Sequence, residues 1–327
     1  MRTNCFSKRL SLCAFILLLF VSGYSRSEQG ADQTTTQGTN QGTNQGAEEP
    51  YTQKQSESEP AREVLQGRPK WEFGVGAGFF DGFDYPGSLD SNRRRFGLPF
   101  FIYRSKRFRF GGGGVSAVTI EEPRFKLDWS VAASLNASTQ DNSAREGLEE
   151  LDFLLELGPQ LIWRVVDKSF AEGTQVRLDW STKLRGVVST DFTSLAGQGF
   201  VFETTVAARL RNFLDQRRVA LFGALSARAG TEQLNDYFYE VPEQFVTPTR
   251  PAFDARGGLI DLQATLGVGL NLPKRVRVFI ATTTGFFAAS ANRDSPLHEA
   301  VSTTSVAVGV VWTIAQSKRQ VEVLETQ

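Results

Sequence analysis

The sequence predicts an all-β fold, an antiparallel transmembrane β-barrel of about 12 strands with 10 as second choice, and three observations carry that expectation. Apolar residues recur at every second position through runs of ten or more residues, the period of a strand with one apolar face. Soluble sandwich strands centre on about 5 to 6 residues whereas membrane strands need about 9 to 11, so the length of the runs selects the membrane-spanning form. The third observation is an export segment at the N-terminus, followed by no apolar stretch of the roughly 18 residues or more that mark a spanning helix.

Residues 1–25 read as a signal peptide: Arg2, Lys8 and Arg9 precede an apolar run from Leu10 to Val21, and Ser22, Gly23 and Ser25 supply the small residues of a cleavage site. Cys5 and Cys13 both lie in this segment, so the exported chain carries no thiol and no disulfide. Residues 26–69 are rich in Gln, Thr, Gly, Ser and Glu. A stretch this polar buries too little apolar area to offset its conformational entropy, which predicts a disordered periplasmic arm. The 36 Lys and Arg equal the 36 Asp and Glu, and losing three basic residues with the signal segment leaves 36 − 3 = 33 against 36. With no basic excess, a nucleic-acid partner is excluded. A single His and no Cys after residue 25 leave little to build a metal site, and no cofactor is expected.

The barrel is expected over residues 70–314, and residues 315–327 form a C-terminal tail. Four runs alternate most clearly. Phe125, Leu127, Trp129, Val131, Ala133 and Leu135 share one face, and Val176, Leu178, Trp180, Thr182, Leu184 and Val188 share another. The third run puts Phe200, Phe202, Val206, Ala208 and Leu210 together; the fourth unites Ile260, Leu262, Ala264, Leu266, Val268 and Leu270. Weaker runs at 71–79, 96–104, 107–119, 152–164, 218–229, 275–287 and 301–314 bring the count to eleven. Because single-chain bacterial barrels have an even number of strands, one is missed or split.

Loop lengths give the orientation, since outer loops are long and periplasmic turns short. Connections 137–150, 189–199, 230–256 and 288–300 are long, and 166–173, 212–217 and 272–274 are short. The alternation fails before residue 124, which places the uncounted strand, or a segment folded into the lumen, between residues 80 and 124, where Gly111 to Gly114 mark a bend or bulge. Trp71, Trp129, Trp163, Trp180 and Trp312 all fall on apolar strand faces, as in an interfacial aromatic girdle.

Specific residues then suggest a family. Asp84, Tyr85, Pro86, Gly87 and Ser88 are followed by Leu98-Pro99-Phe100 and Tyr103-Arg104, then by Leu157, Gly158 and Pro159. Later come Tyr237, Phe238 and Tyr239 with Val241, then Arg250, Pro251, Ala252, Phe253 and Asp254, then Gly257 and Gly258, and finally Ser295, Pro296 and Leu297. In this order the set resembles the MltA-interacting protein family, also written MipA/OmpV, of Gram-negative outer membranes, from about Trp71 to Ile314. The resemblance implies a non-enzymatic barrel in outer-membrane lipid that scaffolds a murein lytic transglycosylase and a murein synthase. Other members are described as porin-like or adhesive, so a solute channel and a surface adhesin acting through loops 137–150 and 230–256 stand as alternatives. The family's Tyr is Phe253 here, and 13 residues, Ala315 to Gln327, follow the last strand where such barrels usually end on an aromatic residue.

No catalytic constellation is legible. His298 follows Ser295-Pro296-Leu297 on a predicted outer loop, but a nucleophilic site needs an oriented Ser, His and third group, so a solvated loop histidine is expected. Asp84 to Ser88 have the composition of a tight turn. The inward faces carry Arg177, Lys183, Arg185, Arg209, Arg275 and Arg277 among eleven basic residues, against Asp179, Glu203 and four other acids. A basic lumen of this kind favours anions if open, and a salt-bridged, self-filled lumen is the plainer expectation.

Overall fold

The computed structural model describes residues 66–104, 108–110, 115–117, 120–122, 124–134, 142–170, 173–212 and 218–323. The expected signal segment and most of the expected arm lie outside them. Ten strands of ten or more residues are present: β2 (Trp71–Phe83), β3 (Ser91–Arg104), β7 (Phe125–Ser134), β8 (Phe153–Ser169), β9 (Gln175–Thr190), β10 (Leu195–Arg211), β11 (Val219–Gly230), β12 (Gly258–Leu272), β13 (Val276–Phe286) and β14 (Ser302–Gln316). Three short strands, β4 (Phe108–Phe110), β5 (Val115–Ala117) and β6 (Ile120–Glu121), stand between β3 and β7. From β2 to β14 each strand pairs antiparallel with the next except β5 and β6, β14 pairs β2, and the edge strand β5 comes back against β7, so the sheet curls round on itself as a barrel.

The uncounted strand is where the loop lengths put it. The run expected as one strand over 107–119 is two, because β4 and β5 pair with each other, Phe110 opposite Val115. The four glycines between them lie outside the described residues. One loop expectation fails: between β9 and β10 only residues 191–194 turn the chain. Both strands continue past the expected ends because Asp191 closes a tight turn, accepting from the backbone N–H groups of Thr193 and Ser194 at 2.8 Å each. The Thr193 hydroxyl, which also donates to it, and then these backbone bonds hold its carboxyl well below the usual carboxylate range.

The strands are inside out relative to a soluble protein. The five tryptophans are 36 to 49% exposed on the outer wall, and Trp163 stands opposite both Phe125 and Trp180. Glu72, Lys126, Asp128, Glu156, Arg177 and Asp179 point inward and are buried. Apolar outside and polar inside is the arrangement that lipid on the outer wall stabilises. One facing is corrected. A register shift between Arg228 and Ala229 makes a bulge in β12 that turns Ile260 from the outer wall into the interior, where it is 2% exposed.

The lumen has two sides. On the β2, β3, β13 and β14 side an apolar cluster fills part of it: Phe100, Ile102 and Val311 are buried with Phe96 and Phe279 packed against them. These rings fit because glycines stand directly opposite, Gly74 across from Phe100, Gly78 from Phe96 and Gly309 from Phe279. A Cβ at any of the three would meet its ring at 2.4 to 2.7 Å. The opposite wall, β7 to β10, carries the charges. At mid-barrel a Cβ on Gly158 would sit 1.9 Å from the carbonyl oxygen of Leu184. Gly158→Val is therefore expected to abolish the heat-modifiable folded band on electrophoresis. Gly97→Ala, where nothing lies within 4 Å, should fold like the parent; equal folding of the two variants would refute the close approach of β8 and β9.

At the short-turn end β1 (Gln66–Pro69) pairs antiparallel with β15 (Gln320–Val323). Sequence reading ended the arm at residue 69 and began the tail at residue 315 without joining them; the structure pairs their inner ends. The Arg104 side chain helps fix this junction, donating to the Pro69 carbonyl at 3.1 Å and to Glu72 at 2.7 Å.

Candidate functional site

Two constellations are built by the fold: a cap over the long-loop end and an ion-pair network in the lumen beneath it. The cap gathers residues far apart in sequence. The turn after β2 is shaped by Gly87, whose φ of 86° suits glycine and whose carbonyl accepts from the N–H groups of Glu299 and Ala300 at 2.9 Å each. The Tyr85 hydroxyl donates to the Leu297 carbonyl at 2.7 Å, the Tyr239 hydroxyl to the Pro86 carbonyl at 3.0 Å, and the Ser295 hydroxyl to the Tyr239 carbonyl at 2.7 Å. Tyr239, Leu297 and Ser88 are fully buried. Tyr237 and Phe238 share with Tyr239 the last turn of helix α1 (Glu232–Tyr239), and the Tyr237 hydroxyl donates to the Asp152 carbonyl at 3.2 Å. Burial raises the hydroxyls of Tyr85 and Tyr239 and pushes Tyr237 up to about 12, so all three remain neutral donors.

Thus Asp84 to Ser88, Tyr237 to Tyr239 and Ser295 to Leu297 meet in one packed body. Gly257 and Gly258 border it: a Cβ on Gly257 would lie 3.0 Å from the Glu232 nitrogen, and one on Gly258 would lie 2.8 Å from Ala291. Pro251 and Asp254 lie on its exposed rim, flanking Phe253, which bridges to Val241. Gly158 and Pro159 are not in the cap; they lie within β8. His298 is not the solvated loop residue expected. It is half-buried against the Tyr239 and Phe287 rings, at centroid distances of 5.9 and 5.8 Å, because Gly87 leaves room for the imidazole. Burial lowers its pKa.

Sequence reasoning missed the polar pins of the cap. Asn142 donates to Asp84 and Ser88 at 3.2 Å each, Arg145 to the Phe238 carbonyl at 2.9 Å, and Asn292 both donates to and accepts from the Arg256 backbone at 2.8 Å. Loop residues have no periodicity to expose them. Arg250, noted only as part of a motif, donates to the carbonyls of Ala144 and Glu146 at 2.9 Å each.

In the lumen, Arg185 bridges Glu156 and Glu203 at 2.7 Å each, and Lys183 reaches Glu203, its register partner, at 2.5 Å. Arg177 pairs with Asp179 at 2.8 Å and Lys126 with Asp128 at 2.6 Å, each two residues apart on one face of a strand. Arg209 belongs to the same wall, opposite Arg177 across the ladder. Arg277 lies across the barrel, 3.6 Å from Glu72; that carboxylate and its bond to Arg104 were missed. Arg275 is corrected: it is exposed in the short turn before β13 with φ 61°, because β12 ends at Leu272.

The cap also titrates. Burial, then the charges of Glu240, Glu232 and Asp254, push Asp236 up to about 6. An acid whose folded pKa is raised binds its proton more tightly when folded, so stability is gained as pH falls from about 6 towards the ordinary value of 3.8. His298, with a lowered pKa, works the other way below its ordinary 6.5. Asp236→Asn should therefore remove the Asp236 component: at pH 7.5 its cap should resist protease at least as well as the parent's, and the gap should close by pH 4.5. A constant gap across that range would refute the titration.

A family model described as MltA-interacting protein MipA matches residues 74–314. No curated protein matches the chain. Among solved structures, outer membrane phospholipase A from Escherichia coli aligns at 13% identity, covering 79% of this chain and 95% of that one, with a TM-score of 0.25. A FadL homologue from Pseudomonas aeruginosa aligns at 10% identity over 75% of this chain and 90% of that one, with a TM-score of 0.20. At such scores these two alignments add nothing to the architecture described above.

Proposed function

The chain belongs to the MltA-interacting protein MipA family, and from that premise we propose that this outer-membrane barrel is a non-enzymatic scaffold for murein enzymes. A lytic transglycosylase is the first partner, suggested by the family's name, and a murein synthase the second. The geometric observation that favours attachment over conduction is the cap, whose central Tyr239 and Leu297 are both 0% exposed above a lumen crossed by ion pairs. A barrel stoppered in this way holds a fixed shape in lipid and leaves its short turns and the β1–β15 pair to meet partners in the periplasm. Export with removal of residues 1–25 completes the reading.

Mild crosslinking of whole envelopes, detergent pull-down and mass spectrometry test it against an unrelated barrel as control. Enrichment of a lytic transglycosylase, lost when residues 26–69 or 317–327 are deleted, is the expected result. No enrichment over the control would overturn the scaffold reading. The second reading, a solute channel, is favoured by the polar β7 to β10 wall and predicts stepwise conductance of the purified protein in a planar bilayer.

A further inference from the structure

Between the cap and the lumen network lies a chamber of about 280 Å³. Its roof is aromatic, from Tyr85, Tyr237 and Phe238 of the cap, and Phe80 on β2 and Phe287 just past β13 also line it. Its wall is polar and runs along neighbouring strands of the sheet: Asn92 and Arg94 on β3, Thr303 and Ser305 on β14, Thr283 on β13 and Gln263 on β12. All six project into the barrel.

The charges of this chamber are largely matched. Arg228 is bound to Asp261 through both carboxylate oxygens, Glu156 to Arg185 at 2.7 Å, and Arg94 acts electrostatically on Asp84. Asp152, at the edge of the roof, is the remaining carboxylate. A chamber whose ions already have partners gains little from a charged guest, which would need a counter-ion of its own. What it offers is hydroxyl and amide groups, each able to donate and accept. Gln263 spends its amide N–H on Asp261 at 3.2 Å, leaving its carbonyl oxygen directed elsewhere. The cap closes the chamber with the aromatic side chains of Tyr85, Tyr237 and Phe238, and aromatic faces, whose negative quadrupoles attract C–H groups, suit an apolar ring surface. Hydroxyls round the rim and axial C–H bonds on the faces are what a sugar ring presents.

We propose that the chamber beneath the cap binds a neutral polyhydroxylated ligand, a mono- or disaccharide, with the aromatic roof covering its C–H face and the β3, β12, β13 and β14 side chains holding its hydroxyls. Its volume is at the small end of ligand cavities, which run from about 300 Å³ upward, and this limits the ligand to one or two rings. The site is independent of the murein scaffold, since it lies at the opposite end of the barrel from the short turns.

The test is calorimetric titration of the full exported chain in a sugar-free detergent, with glucose, N-acetylglucosamine and maltose as neutral probes and phenethylamine as a cationic aromatic control. At least one sugar should saturate, with affinity reduced at least tenfold in Gln263→Leu and abolished in Ser305→Phe, which places a ring inside the chamber. Heat-modifiability on electrophoresis confirms that each variant is folded. If Ser305→Phe does not fold, Thr303→Val replaces it and should weaken binding at least threefold. Absence of saturation by all three sugars, saturation by phenethylamine alone, or undiminished sugar binding in the folded variants would each overturn the proposal. Because no murein enzyme is present, the outcome is separate from that of the pull-down.

Discussion

Tyr239→Ala is expected to open the cap while leaving the barrel folded. The side chain is 0% exposed, it packs with Phe238 and His298 at centroid distances of 5.9 Å each, and its hydroxyl ties α1 to the turn after β2. Removing a buried aromatic side chain costs about 3 to 5 kcal/mol, and here the loss falls on loop contacts rather than on strand pairing. Loops 142–152 and 287–301 should become protease-sensitive in detergent while the heat-modifiable band persists. Bilayer recordings should show conductance above the parent's. Tyr239→Phe keeps the ring and loses only the bond to Pro86, a change of about 1 kcal/mol, and should stay protected. Equal protease resistance of Tyr239→Ala and the parent would show that the cap does not depend on this residue.

Arg185→Met should have a comparable effect on the barrel itself. Its guanidinium is 4% exposed and neutralises both Glu156 and Glu203. Breaking a buried ion pair from one side costs about 3 to 5 kcal/mol because the partner charge stays behind unpaired. Lys183 still reaches Glu203, so Glu156 is the group most exposed to the loss. Urea unfolding in lipid vesicles should show the midpoint falling in Arg185→Met and recovering in part when Glu156→Gln is added. Arg185→Lys should lie between, since an ammonium lacks the planar fork that spans two carboxylates. A double variant no more stable than the single one would mean that Glu156 does not need its partner.

Much of this architecture was legible because strand side chains alternate with period two. The faces of β7, β9 and β10 follow directly from Trp129, Trp180 and Phe202 standing on the same parity as their apolar neighbours. The lumen pairs were half legible: Lys126 with Asp128 and Arg177 with Asp179 are visible as i, i+2 partners, whereas Glu203 with Lys183 needs the register of β9 against β10. Ile260 shows the limit of parity, since one bulge reverses the facing of a residue and nothing local marks it. Arg275 fails for a related reason, because a periodic pattern runs smoothly past the point where the backbone turns.

What the sequence by itself determined is the class of the fold, its long alternating strands, the outward tryptophans and the place of the split strand. Those depend on local periodicity and on length, which the chain carries residue by residue. Only the tertiary structure decided that Tyr85, Tyr239, Ser295 and Leu297 form one cap, that Asn142 and Arg145 pin it, and that β1 and β15 join the two ends of the chain. These contacts link residues tens to hundreds of positions apart, Tyr85 to Leu297 across 212. They form because closing the barrel brings the long loops together over one end, where buried hydroxyls, amides and guanidinium groups must find partners once water is excluded.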